Sequence, residues 1–205
     1  MSGGGARRAI ATAVLAASLV GCSGGPKLAK LPDDALVLAF GDSLTFGTGA
    51  ARNESYPALL EARIHRKVVN AGVPGETSAD GLARLPEAIE EAKPALLLLC
   101  HGGNDFLRRL DDARTEENLR AMIRVARDKG IPVVLLATPK PTLPPSVPAF
   151  YRALAVEQAI PFEDAVLREV LFDNRLKSDL VHPNGQGYAQ IANAVEKVLR
   201  RSGAL

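Results

Sequence analysis

Tryptophan is absent from this 205-residue chain, aromatic residues make up 4% of it, and it holds two cysteines and three histidines. Each scarcity removes a class of function. So few aromatic rings leave little material for a platform that stacks sugars. Two cysteines build no disulfide framework. Neither C-x-x-C nor H-x-x-x-H occurs, so zinc-ligand spacing is missing and no metal site is expected. No stripe of lysine and arginine interleaved with aromatics is present, which argues against a nucleic-acid partner. The apolar stretch Ala9 to Val20 is shorter than the roughly 20 residues that span a bilayer. What the chain does have is 47% hydrophobic residues, enough for one sizeable core, and no internal repeat.

The N-terminus has the organisation of an export signal: Arg7 and Arg8 lead, the apolar stretch follows, and "LVGC" closes it at Cys22. The segment resembles a bacterial lipoprotein signal, whose terminal cysteine receives lipid; an ordinary cleaved signal with an incidental cysteine is the alternative. The resemblance implies a leader over 1–22 with Cys22 as the lipidation site, and a membrane anchor through its acyl chains. Residues 23–32 then read as a flexible tether and 33–205 as the folded domain. Ser23 resembles the residue that follows the cysteine in lipoproteins sorted to the outer membrane, so the expected location is the periplasm-facing cell envelope. The formal charge of +2 comes from 25 Lys+Arg against 23 Asp+Glu, and losing Arg7 and Arg8 leaves 23 of each. Cys100 would then have no intrachain partner; it ends "ALLLLC" and reads as a small core hydrophobe, with a reactive thiol as the alternative.

Four nearly continuous apolar runs, Ala35 to Phe40, Lys67 to Ala71, Ala95 to Cys100 and Ile131 to Ala137, have the pattern of strands covered on both faces. A fifth, Ile160 to Phe162, carries Pro161 and reads as an edge. Helical periods separate them. Tyr56 to His65 follows the first strand. Thr77 and Asp80 form a capping box before Leu82, Leu85 and Ile89, where Pro86 is expected to restart or kink the helix. Leu119, Met122, Ile123 and Ala126 share a face after Thr115, a candidate N-cap, and Gly130 stops that helix. Tyr188, Ile191, Ala192, Val195, Val198 and Leu199 mark the last. Strand and helix alternate, so the fold class is α/β: a three-layer α/β/α sandwich around a mainly parallel five-stranded sheet, with ligands beyond the carboxyl ends of the strands. The proline-rich stretch 138–148 lies on that side, as a mobile flap or a rigid loop.

Each polar cluster of interest follows a strand: "GDSL" at 41–44, "NAGVPGETS" at 70–78 and "HGGND" at 101–105, with "DLVHP" at 179–183 near the end. A serine hydroxyl attacks a carbonyl well only when a base takes its proton and an acceptor holds that base in the right tautomer. Ser43, His182 and Asp179 supply those three chemistries. By itself Asp-x-x-His reads as a surface pair; its weight comes from the other blocks. Oxyanion donors are available in the backbone N–H groups of Ser43 and Gly72 and the side-chain amide of Asn104.

The four blocks, in order and across nearly the whole mature chain, resemble those of the SGNH (GDSL) hydrolase superfamily. "VVNAGVPGETSADGLARLP" and "GGNDFLR" are most similar to its thioesterase I, lysophospholipase L1 and arylesterase group. The resemblance implies a flavodoxin-like sheet, Ser43 as nucleophile, His182 as base oriented by Asp179, an oxyanion hole of Ser43, Gly72 and Asn104, and no cofactor. "GDSLT" lacks the closing glycine of G-x-S-x-G, so the α/β-hydrolase elbow is not expected. Leu44, Val73, Phe106 and Leu107 are candidate acyl-pocket residues, or core. His101, before the glycines, departs from close relatives; it either shapes the pocket rim or packs beside the site. The expected activity is hydrolysis of aryl or short-to-medium acyl esters, with lysophospholipids as a lipid substrate, by a monomer. An acetylated-carbohydrate esterase and a non-catalytic envelope lipoprotein are the competing readings.

Overall fold

The computed structural model describes Met1 and residues 25–205, so Cys22 and the expected leader lie outside the described residues. Five strands form one parallel sheet: β1 (Leu36–Gly41), β2 (Lys67–Gly72), β3 (Leu96–Cys100), β4 (Val133–Leu136) and β5 (Phe162–Glu163), in the order β2-β1-β3-β4-β5. The helices are α1 (Ser43–Phe46), α2 (Tyr56–Ile64), α3 (Ser78–Ala92), α4 (Gly103–Leu107), α5 (Asp112–Asp128), α6 (Ala149–Glu157), α7 (Val166–Phe172) and α8 (Gly185–Ser202).

Alternation of side chains along each strand divides the apolar residues between two faces. Val37, Ala39, Leu96, Leu98, Val134 and Leu136 meet α2, α7 and α8. Leu38, Phe40, Leu97, Leu99, Val133 and Leu135 meet α3, α5 and α6. Both faces are therefore dry, which is why these strands read as continuous apolar runs. The final helix buries Tyr188, Ile191, Ala192, Val195, Val198 and Leu199, the face its spacing selects. The two-residue β5, directly after Pro161, is one edge of the sheet and β2 the other.

Three local expectations are corrected. Asp111, not Thr115, caps α5: its carboxylate accepts the N–H of Ala113 at 2.9 Å, so the helix starts a turn earlier. Thr115 is buried inside that helix, donating to the Asp111 carbonyl at 3.2 Å. Pro86 does not restart α3, which runs unbroken from Ser78 to Ala92 with the ring on its exposed side. Finally, the part of the expected tether from Lys27 to Leu31 is docked. Leu28 and Leu31 donate backbone N–H groups to the carbonyls of Ser202 and Ala204, each at 2.8 Å, and Leu31 is buried in the core.

The register decides where chemistry can occur. Gly41 stands opposite Gly72 on one side and Cys100 on the other, so β1, β2 and β3 end level and the loops after them share one rim. In this strand order the chain leaves β1 toward β2 and returns across it to β3, which opens a crevice at the carboxyl ends of β1 and β3.

Candidate active site

Ser43 is the first residue of α1, immediately beyond β1. Asp42 caps that turn, its Oδ1 accepting the Leu44 N–H at 3.0 Å. Burial pushes the Asp42 carboxyl above its ordinary range, opposed by the nearby His101 and His182. The turn sits tight on the sheet because Gly41 has no side chain: a Cβ there would lie 2.1 Å from the Cys100 carbonyl oxygen. Gly47, at φ 100°, ends the turn in the left-handed region.

Residues 177–183 return from the far end of the chain as a closed loop. The Ser178 N–H donates to the His182 carbonyl at 3.0 Å, and Lys177 bridges Pro183. Asn184 caps α8 and its amide donates to the Arg175 carbonyl at 2.9 Å. Tyr188, one turn into α8, donates its hydroxyl to the Thr48 carbonyl at 2.8 Å and so ties this helix to the Ser43 loop. The result places His182 Nε2 3.0 Å from Ser43 Oγ, with Nδ1 2.8 Å from Asp179 Oδ2. The other Asp179 oxygen accepts the N–H groups of Val181 and His182, both at 2.8 Å. Partial burial raises the Asp179 pKa, but the hydrogen bonds from His182 and these two N–H groups outweigh it and leave the carboxyl below its ordinary range. An ionised Asp179 keeps the imidazole proton on Nδ1, so Nε2 is free to accept from the serine.

Of the three groups expected as oxyanion donors, two are free among the described residues and one is engaged. The Ser43 N–H has no partner among the described residues. Asn104 donates one amide hydrogen to the Glu76 carbonyl at 2.9 Å, which leaves the second for a ligand in the cavity it lines. Gly72 is a correction. Its N–H donates to Asn70 Oδ1 at 3.0 Å, and a Cβ there would lie 2.1 Å from the Phe46 nitrogen. It is a packing glycine under α1. Further along the same loop stands Gly75, at φ 81°, whose N–H meets no acceptor among the described residues. Gly75 immediately precedes Glu76, whose carbonyl Asn104 holds, and was not singled out in the sequence.

Asn104 is positioned by a buried network. The Glu76 carboxylate takes two bonds of 2.6 Å from Arg84 and one of 3.1 Å from His101. Desolvation opposes the charge, yet these partners bring the Glu76 pKa down to about 2. His101 is fully buried against Phe40, so of its two expected places the structure gives the one beside the site. Cys100 is buried within hydrogen-bond reach of Thr138, and burial pushes its thiol up to about 12, as suits a core hydrophobe. Asp105 accepts both the N–H and the hydroxyl of Ser78, at 2.8 and 2.5 Å, and so anchors the start of α3.

A cavity of about 630 Å³ opens beside Ser43. Leu44 and Leu107 line it as expected; Val73, whose N–H donates to the Gly41 carbonyl at 3.0 Å, is exposed on the rim and outside the cavity wall, and Phe106 is buried among Phe150 and Tyr151. Most of the wall comes from places the sequence did not single out by residue: Pro139, Pro141, Leu143 and Pro145 after β4, Leu171 and Phe172 at the end of α7, and Leu180 and Val181. Among the described residues, no three histidine, cysteine or acidic side chains converge as metal ligands.

The model of the GDSL-like lipase/acylhydrolase family matches residues 39–190, which include every residue of this arrangement. The chain belongs to that family. This GDSL hydrolase is 35% identical over 161 residues to the esterase TesA of Pseudomonas aeruginosa, covering 72% of the chain and 79% of the relative. It is 31% identical to the thioesterase 1/protease 1/lysophospholipase L1 of Escherichia coli K12, covering 80% and 83%. Its fold is similar to that of the psychrotrophic esterase EstA from Pseudoalteromonas sp., inhibited in that structure by monoethylphosphonate, with TM-score 0.73, 20% identity, and 82% of this chain and 98% of that one covered. The GDSL hydrolase is thus a serine ester hydrolase on an α/β fold.

Proposed function

We propose that this GDSL hydrolase cleaves carboxylic esters through an acyl-enzyme on Ser43. The observation that carries the reading is the unbroken relay from Ser43 Oγ to His182 Nε2 at 3.0 Å and from Nδ1 to Asp179 at 2.8 Å. In the first half, Nε2 takes the hydroxyl proton as Oγ bonds to the carbonyl carbon. Negative charge gathers on the carbonyl oxygen, facing the N–H groups of Ser43 and Gly75 and the free amide hydrogen of Asn104. As the tetrahedral species collapses, the bond to the leaving oxygen breaks and His182 returns the proton to it. Water then repeats the sequence on the acyl-enzyme and releases the acid. Asp179 holds the ring and stabilises the imidazolium.

The substrates are aryl and short-to-medium acyl esters, with lysophospholipids as a lipid class. An apolar wall of prolines and leucines favours an acyl chain. The names of the two relatives, an esterase and a thioesterase/lysophospholipase, support the same range. We further infer that Cys22 carries lipid and holds the enzyme on the periplasmic side of an envelope membrane; the mass of the N-terminal peptide from membrane-extracted protein tests this.

The test of the chemistry is the hydrolysis of short para-nitrophenyl esters by the purified protein and by Ser43→Ala. The variant is expected to lose at least roughly 10³-fold in kcat. Equal rates in the two proteins would overturn the assignment.

A further inference from the structure

The cavity wall carries a cation that nothing in the hydrolytic relay uses. Lys177 lines the cavity, half-buried, on the same closed loop as His182. Among the described residues it forms no ion pair, whereas the other cations around it are engaged. Lys140, the second lysine of the wall, pairs with Asp112 at 2.5 Å. Arg175, just before Lys177, pairs with Asp173 at 2.7 Å, so the carboxylate that feels the lysine charge is already held. Asp179 is bonded to His182 and to backbone N–H groups, and Asp42 to the Leu44 N–H. No carboxylate of the wall is therefore free for Lys177.

Its side of the cavity is set by chemistry. The imidazole that takes the serine proton must hand it to the leaving oxygen, so the leaving group lies against His182. The loop that delivers His182 also carries Lys177. The stretch of the wall with Pro139, Pro141, Leu143 and Pro145 is apolar apart from Lys140, whose charge Asp112 already holds, and suits an acyl chain. The geometry points to Lys177 as a specificity residue that receives a negative charge on the alcohol portion of the ester, a phosphate, sulfonate or carboxylate. This rests on the ester-hydrolase reading above and narrows its substrate class to acyl esters of anionic alcohols. A partly desolvated ammonium holds such a group more strongly than an exposed one does, because less water screens it.

The experiment compares para-butanoyloxybenzenesulfonate with uncharged phenyl butanoate, which share an acyl group. They are hydrolysed by the wild-type protein and by Lys177→Met, Lys177→Glu and Lys177→Arg. In Lys177→Met the anionic-to-neutral ratio of kcat/KM is expected to fall about tenfold, about 1.4 kcal/mol, mainly through KM. Lys177→Glu lowers the ratio further, and Lys177→Arg retains it. Raising the salt concentration should erode the ratio in the wild type and not in Lys177→Met. A ratio that stays the same in Lys177→Met, or equal losses on both esters, would overturn the assignment of Lys177 and leave the hydrolase reading intact. If the wild type cleaves neither ester faster than Ser43→Ala does, the hydrolase reading fails with it.

Discussion

Asp179 shows how much can depend on one carboxylate. Its two oxygens do different work: one orients the imidazole, the other fastens the backbone that carries it. Asp179→Asn keeps the size but presents an amide, which allows the wrong histidine tautomer. By analogy with serine proteases, kcat is expected to fall roughly 10²- to 10⁴-fold with little change in KM. Steady-state kinetics on a soluble ester check this; a variant keeping most of its kcat would contradict the orienting role. The glycines divide just as sharply. At Gly72 the missing side chain makes room for α1, whereas around Gly75 a Cβ would meet nothing within 4 Å. Packing explains the first, backbone access the second.

At the scale of elements, α3 and α5 are fixed at their starts. Asp111→Ala removes the acceptor for the Ala113 N–H and is expected to cost about 1 kcal/mol, read as a lower urea midpoint with unchanged slope. The Arg84–Glu76–His101 network joins α3 to the loops after β2 and β3, and through the Glu76 carbonyl it reaches Asn104. The Glu76 pKa falls from an ordinary 4.5 to about 2, so its contribution to stability is complete above the ordinary value and disappears as the pH drops toward 2. Glu76→Gln should therefore lie furthest below the wild type in denaturant midpoint near neutrality, and the gap should shrink by about pH 3. A gap that stays constant across that range would show that ionised Glu76 adds nothing.

For the molecule as a whole, two segments far apart in sequence close the structure. Residues 27–31 lie along the end of α8, and 177–183 fold back over the crevice between β1 and β3. Leu31 is almost wholly buried at the first of these places. A chain starting at Asp33 should lose about 2 kcal/mol relative to one starting at Gly25, lowering Tm by about 4–8 °C. Scanning calorimetry of the two forms decides it, and equal melting temperatures would return the segment to the role of a tether.

The sequence by itself determined the order of the five strands and of α2, α3, α5 and α8, the two-sided sheet and the shared rim that gathers Ser43 and Asn104, because burial on both faces leaves an apolar pattern that can be read locally; α1, α4, α6 and α7 it did not mark. It also pointed to Asp179 and His182, through their company with the other three blocks and not through their spacing alone, which by itself reads as a surface pair. Only the tertiary structure decided that Gly72 spends its N–H on Asn70, that Asp111 starts α5, that Leu31 belongs to the core and that Pro139 to Pro145 and Phe172 wall the cavity. Each of those facts is a contact or a competition between partners, and a partner that arrives from elsewhere in the chain leaves no periodicity in the segment it meets.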